Sequence, residues 1–168
     1  MPRLFDLSVD SPVGVEQILA AFADEEYWQA RLAAFDSGTA TLDSLTVAAD
    51  GAVSVVLTVS LFASRLPKVL TALARGDLAM TRTETWHPVG DGQAHGQIEV
   101  AVPGAPVSAI GGVVLASAAS GSRLKFSTAV QVDVPLVGGQ VEAFIIGRLG
   151  REIGAVQSFT DAWIAANR

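Results

Sequence analysis

The sequence predicts an α+β fold, in which a curved and mostly antiparallel sheet of about six to seven strands wraps around a long C-terminal helix. Two observations near the end of the chain lead to this prediction. Apolar residues alternate with polar ones from Leu124 to Val134, which is the pattern of a half-buried strand. After Pro135 and the pair Gly138-Gly139, the apolar period becomes helical.

The C-terminal helix is predicted to begin at about Gln140 and to carry one apolar stripe. At about 100° per residue, the stripe contains Val141, Ile145, Leu149, Ile153, Val156, Phe159 and Trp163. Each such side chain contributes roughly 1.5 to 3 kcal/mol when it is buried. We therefore expect this helix to lie on an apolar surface.

The start of the chain supplies a strand and two short helices. Alternation over residues 4–9 predicts the first strand. Ser11-Pro12 is a helix-start signal, which predicts a first helix that runs to about Ala23. Asp24 is a capping residue for a second helix, which ends at about Phe35.

The middle of the chain is predicted to form the rest of the sheet. The predicted strands cover about 39–48, 52–61, 78–87, 93–102, 107–118 and 124–134. Asp50-Gly51 is a strong hairpin-turn signal between the first two of them. A short helix is predicted over 67–75, ended by Gly76. Because there is neither a repeat nor a linker, we expect residues 1–168 to form a single domain.

Composition excludes several classes of function. The chain has no cysteine, which excludes disulfide scaffolds, thiolate catalysis and zinc–cysteine sites. Its net charge of -6 argues against binding to nucleic acid or to anionic lipid surfaces. Asp6 and Asp10 interrupt the apolar run that a signal peptide needs, so we expect cytoplasmic residence. The uncharged stretch between Glu99 and Arg123 contains prolines and glycines, so we read it as strand, turn and strand and expect no transmembrane segment.

Several short motifs, together with the order of elements, point to a known family. They are Leu66-Pro67, Gly76, Glu84 followed by Trp86, and the segment VPLVGG at 134–139 with Glu142 three positions on. The chain resembles the START-type helix-grip (SRPBCC) superfamily of pollen allergens, steroid-carrier domains and polyketide cyclase-like proteins, and within it an uncharacterised bacterial branch. The resemblance spans nearly the whole chain and implies an incomplete barrel that grips the last helix around a hydrophobic cavity. It implies no catalytic residue, because members with different activities share this frame.

The function that we favour is a non-catalytic binder or carrier of an apolar ligand such as a lipid, fatty acyl, polyketide or sterol-like compound. The predicted ligand contacts are Val55, Leu57, Val59, Trp86, Ile98, Val100, Phe126, Thr128, Val130, Glu142, Leu149, Ile153 and Val156. Thr128 is the one hydroxyl expected to face the cavity, where it either orients the ligand or bonds to a neighbouring backbone. No metal or other cofactor is predicted, because His87 and His95 lack a second ligand at a metal-binding spacing, and both are expected on the surface.

The alternative is an enzyme of the cyclase or dehydratase kind, in which a cavity carboxylate with a raised pKa moves a proton. The candidate acids are Glu84, Glu142 and Glu152. Glu142 also has a structural explanation, because the helix dipole favours a carboxylate in the first turns. Glu152 has one too, as an i,i+4 partner of Arg148.

The strand over 78–87 leaves two orientations open. In one, Met80, Arg82, Glu84 and Trp86 face the interior. In the other, which we slightly favour, the threonines at 81, 83 and 85 face inward, because threonine suits a packed strand better than charge does.

A row of small residues lies opposite the apolar stripe of the last helix. It consists of Ala143, Gly147, Gly150, Gly154 and Ala165. Each glycine inside a helix costs roughly 0.8 to 1 kcal/mol relative to alanine. The row either lets the helix flex or lets another backbone approach, as at a homodimer contact, and simple tolerance on an exposed face is the competing explanation.

Overall fold

The structure is a computed structural model that describes residues 3–36, 40–61 and 78–167. Its strands are β1 (Arg3–Ser11), β2 (Ala40–Val47), β3 (Val53–Leu61), β4 (Leu78–Gly90), β5 (Gln93–Ala101), β6 (Val107–Ala118) and β7 (Gly121–Val132). Its helices are α1 (Val15–Phe22), α2 (Glu25–Asp36) and α3 (Gly138–Ala166). The helix predicted over 67–75, with Leu66-Pro67 and Gly76, lies outside the described residues.

The strands form one 7-stranded antiparallel sheet in the order β1-β7-β6-β5-β4-β3-β2. Successive strands pair with each other from β2 to β7, and β1 then adds to the outer edge of β7, where Phe5 lies opposite Thr128. The alternation predicted for β7 is confirmed, since its inward residues are buried. They are Leu124, Phe126, Thr128, Val130 and Val132. The predicted α+β class, with two short helices after the first strand and a long C-terminal helix, is therefore correct.

Three element boundaries differ from the prediction. The first helix begins at Val15 rather than at Pro12, because Ser11 still pairs with Ser122 in the β1–β7 ladder. The last strand ends at Val132, since its partner β6 begins at the opposite residue, Val107. β4 continues to Gly90, and the turn that follows has Asp91 with φ 54°.

The main core lies where α1 and α2 meet the sheet and is rich in aromatic side chains. The ring centroids of Phe22 and Trp86 are 4.8 Å apart, and those of Tyr27 and Trp28 are 5.3 Å apart. The Trp28 indole N–H donates to the Phe22 carbonyl at 2.8 Å, which satisfies its one polar group. A second small cluster forms around Val132 and Val141 at the start of α3.

Helix α3 lies against β1 and β7 and also contacts α1 and α2. Its ends are buried, with Val141 near the start and Ile164 near the finish. The middle of its predicted stripe, including Leu149 and Ile153, is only half-buried. Within the described ranges, no helix is both long enough and apolar enough to cross a membrane.

Candidate functional site

A cavity of about 760 Å³ lies between the inner face of the sheet and α3. This volume falls in the range of small-molecule binding sites. Most of the residues predicted as ligand contacts line it. They are Val59, Trp86, Ile98, Val100, Phe126, Thr128, Val130, Leu149, Ile153 and Val156. The half-buried middle of α3 is thereby explained, because these side chains cover an opening instead of packed atoms.

Three of the predicted contacts lie elsewhere. Val55 and Leu57 are buried in the main core rather than on the cavity wall. The period-2 pattern correctly predicted that these side chains point inward. It could not predict whether they would pack in the core or line the cavity. Glu142 is buried below the start of α3, where one carboxylate oxygen accepts the Val132 N–H at 3.1 Å. This carboxylate fastens the helix to the end of β7 and does not line the cavity.

The charged face of β4 points into the cavity, so the slightly favoured orientation with inward threonines is wrong. Met80, Arg82, Glu84 and Trp86 all line the cavity. Trp86 explains this orientation, because its indole fits against Gly96, where a Cβ would lie 2.6 Å from the ring. Since side chains alternate along a strand, an inward Trp86 carries Glu84 and Arg82 with it.

Glu84 forms a charged cluster with Arg82 and Arg31 on the cavity wall. The Glu84 side chain is only 1% exposed, and its Oε2 lies 2.8 Å from Arg82 Nε and 3.5 Å from Arg31 Nη2. The Trp86 indole N–H donates to the other oxygen of Glu84 at 3.3 Å, and the Arg31 guanidinium stacks 4.7 Å from the Trp28 ring centre.

The arginines keep Glu84 ionised. Burial by itself would raise the pKa of the Glu84 carboxyl, but the positive charges of Arg82 and Arg31 outweigh burial, with help from the hydrogen bond of Trp86. The pKa of Glu84 is therefore held below its usual range. This cavity carboxylate is a stable anion near neutral pH and not a proton donor.

Hydrogen bonds below the charged cluster fix the second half of α3. The Tyr27 hydroxyl lies 2.7 Å from the Thr160 hydroxyl, and burial raises the pKa of Tyr27. Asp161 accepts hydrogen bonds from Ser11 at 2.6 Å and from Gln157 at 3.0 Å. These contacts tie α3 to α2 and to the end of β1.

Four exposed residues of α3 line the cavity, and we call this solvent-facing part of its wall the cavity mouth: Phe144, Arg148, Arg151 and Glu152. The Arg148 guanidinium lies 5.3 Å from the centre of the Phe144 ring. The predicted ion pair between Arg148 and Glu152 is wrong. The ion pairs among the described residues do not include one between these two side chains. Glu152 instead lies exposed at the mouth.

The remaining polar predictions concern one hydroxyl and two imidazoles. Thr128 lines the cavity, and its hydroxyl donates to the Ile110 carbonyl at 2.9 Å, which is the backbone alternative. His87 and His95 are exposed, as predicted. Arg31 also lines the cavity, although the sequence patterns did not predict it there. Its spacing from Tyr27 and Trp28, four and three residues along the same helix, was the signal that could have found it.

The glycines on α3 have room for a methyl group among the described residues. A Cβ on Gly147 or Gly154 would meet no described atom within 4 Å outside its own stretch of helix, and one on Gly150 would make ordinary contact with Phe5 at 3.7 Å. Simple tolerance therefore accounts for these glycines within this chain. The homodimer contact stays a prediction.

Two sequence comparisons show the family of this chain. Residues 6–164 match the family described as "Protein of unknown function (DUF2505)". The chain is also 38% identical over 173 residues to an uncharacterized protein of Mycobacterium tuberculosis, and the match covers 99% of each chain.

Solved structures with the same fold are distant in sequence. A START superfamily protein from Mycobacterium smegmatis is 9% identical with a TM-score of 0.52, covering 98% of this chain and 99% of that one. Norcoclaurine synthase from Thalictrum flavum, solved with dopamine and hydroxybenzaldehyde, is 12% identical with a TM-score of 0.58, covering 100% and 89%. The chain belongs to the DUF2505 family and has the START-type helix-grip fold.

Proposed function

We propose that residues 1–168 form one ligand-binding domain that holds an apolar small molecule between the sheet and α3 without transforming it. A lipid, fatty acyl, polyketide or sterol-like compound has the required character. The observation that carries the proposal is the cavity of about 760 Å³, whose walls are mostly aliphatic and aromatic. Cytoplasmic residence and a homodimer remain predictions, and the proposal depends on neither.

The state of the candidate acids supports binding rather than catalysis. The arginine neighbours of Glu84 lower its pKa, so it is ionised and cannot donate a proton as a general acid, and the same lowering makes it a weak general base. Glu142 is bonded to the backbone N–H of Val132, and Glu152 is exposed at the mouth. Norcoclaurine synthase shares the fold, but a shared fold does not transfer an activity.

The test compares ligand binding by two variants, one with a tryptophan inside the cavity and one with a tryptophan at the next residue, outside it. Ala109 lines the cavity, while the next residue, Ile110, is 58% exposed on the opposite face of β6. Native mass spectrometry with dodecanol should detect a one-to-one complex of the unsubstituted protein. Ala109→Trp should weaken this complex by roughly tenfold or more, because its indole would occupy the ligand space. Ile110→Trp should leave the affinity unchanged.

Thermal unfolding of both variants checks that each is folded before binding is compared. Equal affinity of Ala109→Trp and the unsubstituted protein would contradict the location of the site. Failure of the unsubstituted protein to bind dodecanol or any other apolar probe would overturn the proposed function itself.

A further inference from the structure

The described walls of the cavity carry more positive than negative groups, although the whole chain is acidic. Four guanidinium groups face two carboxylates there, namely those of Arg31, Arg82, Arg148 and Arg151 against Glu84 and Glu152. Over the whole chain, 11 lysines and arginines stand against 17 aspartates and glutamates. A site with this local excess favours an anionic group on the ligand.

The cationic and apolar parts of the wall are separated across the sheet. Arg82 on β4 pairs with Val100 on β5, which pairs with Ala109 on β6, which pairs with Val130 on β7. All four side chains line the cavity, so one row leads from a guanidinium across purely aliphatic residues. Three strand spacings of about 4.8 Å give this row a length of roughly 14 Å.

Arg82 is the member of the charged cluster that a ligand can reach. Its side chain is 28% exposed, compared with 7% for Arg31 and 1% for Glu84. Arg82 forms an ion pair with the more deeply buried Glu84, and Glu84 accepts a hydrogen bond from the Trp86 N–H. These two contacts fix the orientation of the Arg82 guanidinium.

We propose that the ligand is an apolar carboxylic acid, whose carboxylate binds Arg82 while its alkyl part lies along Val100, Ala109 and Val130. This inference rests on the proposed function, because it names the class of molecule that the same cavity holds. Glu84 acts as a positioning residue for Arg82, because its Oε2 lies 2.8 Å from Arg82 Nε. Arginine suits this role because its fork matches a carboxylate with two parallel hydrogen bonds.

Three probes with the same alkyl chain and different head groups test the inference. Titration calorimetry at neutral pH would compare laurate, dodecanol and dodecylamine. Laurate should bind roughly tenfold or more tightly than dodecanol, which is the factor expected for hydrogen bonds to a charged group. Dodecylamine should bind most weakly, because its ammonium would meet the cluster with like charge.

Arg82→Gln should remove the preference for laurate, so that the ratio of the laurate and dodecanol affinities falls to about one, whatever the variant does to the affinity for dodecanol itself. A double variant, Arg82→Gln with Glu84→Gln, removes one charge of each sign and should behave in the same way if the single variant folds poorly. Arg123→Gln is the matched control, because Arg123 pairs with Asp10 at 2.7 Å and is half exposed outside the cavity. It should keep the preference for laurate.

The outcomes separate the two proposals. If laurate and dodecanol bind with equal affinity, or if both Arg82 variants keep the preference, the inference of an acid ligand is wrong and the cavity remains a binding site. If none of the three probes binds, the proposed function itself fails.

Discussion

Glu84 shows at the scale of one residue how a charge is retained inside an apolar wall. Desolvating a carboxylate costs several kcal/mol, and this cost is offset only when opposite charges and hydrogen bonds surround it. Arg82, Arg31 and the Trp86 N–H provide them on both oxygens of Glu84. Removing the carboxylate leaves two guanidinium groups without this buried anion. The stability lost should therefore be larger than the net contribution of the ion pair to stability.

We therefore predict that Glu84→Gln lowers the free energy of unfolding by about 3 to 5 kcal/mol at pH 7. The pKa of Glu84 is lower in the folded state than in the unfolded state, so this stabilisation is fully present above the unfolded pKa of about 4.3. It is lost as the pH falls through the folded pKa. Urea unfolding at several pH values should show the difference between the two proteins shrinking below about pH 4.

Glu99→Gln is the control for this experiment, because Glu99 is exposed and accepts a hydrogen bond from Gln97 at 2.8 Å. Its stability should stay within about 0.5 kcal/mol of the unsubstituted protein. A Glu84→Gln effect of the same size at pH 3 and pH 7 would show that the charge of Glu84 is not its source.

Glu142 gives a second prediction, because its carboxylate bonds to a backbone N–H and not to the cavity. Glu142→Ala leaves the buried Val132 N–H unsatisfied and should cost about 1 to 3 kcal/mol of stability. Glu142→Gln keeps an acceptor and should cost less. Dodecanol affinity should be the same in both folded variants, and a loss of affinity without a loss of stability in Glu142→Gln would return this residue to the site.

At the scale of an element, α3 is fixed at both ends and covers the cavity with its middle. Gly138 lies so close to the Val132 carbonyl that a Cβ there would overlap the oxygen. At the other end, Asp161 and Thr160 bond to Ser11 and Tyr27. The two ends are therefore constrained by separate contacts, while the middle spans open space.

Alanine substitutions should separate the required glycine of α3 from the tolerated ones. Gly147→Ala and Gly154→Ala should each raise the free energy of unfolding by roughly 0.8 to 1 kcal/mol, because each added methyl is free of close contacts with the residues that the structure describes. Gly138→Ala should lower it, because the backbone of β7 must move. Denaturant titration measures all three, and slower ligand exchange or a changed oligomeric mass in the first two would instead support a flexing or dimer role.

Most elements could be predicted from the sequence because they have a clear period or, like α2, a capping residue at the start, but part of the site could not. Alternation located β7 and its inward residues, and the helical stripe located Leu149, Ile153 and Val156 on the wall. Alternation alone does not show which of the two faces of β4 points inward. That orientation depends on the fit of Trp86 to Gly96 on a neighbouring strand. Contacts between distant elements, such as that of Arg31 with Glu84, leave no period to detect.

At the scale of the whole molecule, the described part of the fold divides between a packed end and an open region. Aromatic side chains of α1, α2 and β4 fill the main core, whereas the inner faces of β5 to β7 below α3 leave the cavity. Stability supplied by the packed end allows the rest of the sheet to remain unfilled, since an empty apolar space otherwise weakens a fold.

This division predicts that an apolar ligand stabilises the protein. A molecule that binds only the folded state at a hundred times its Kd should add about 2.7 kcal/mol to the free energy of unfolding. Thermal unfolding with increasing laurate should show a rising Tm in the unsubstituted protein and in Ile110→Trp. The Tm of Ala109→Trp should rise much less, and an equal rise in all three would place the binding outside the cavity.

The most direct test of the central claim locates a bound ligand between the sheet and α3. Crystals grown with bromine-labelled dodecanoic acid would be measured at the bromine absorption edge. The proposed function predicts an anomalous peak inside the cavity bordered by Val100, Ala109 and Val130. Bromine peaks only on the outer surface, or solid packing of side chains where the cavity lies, would contradict it.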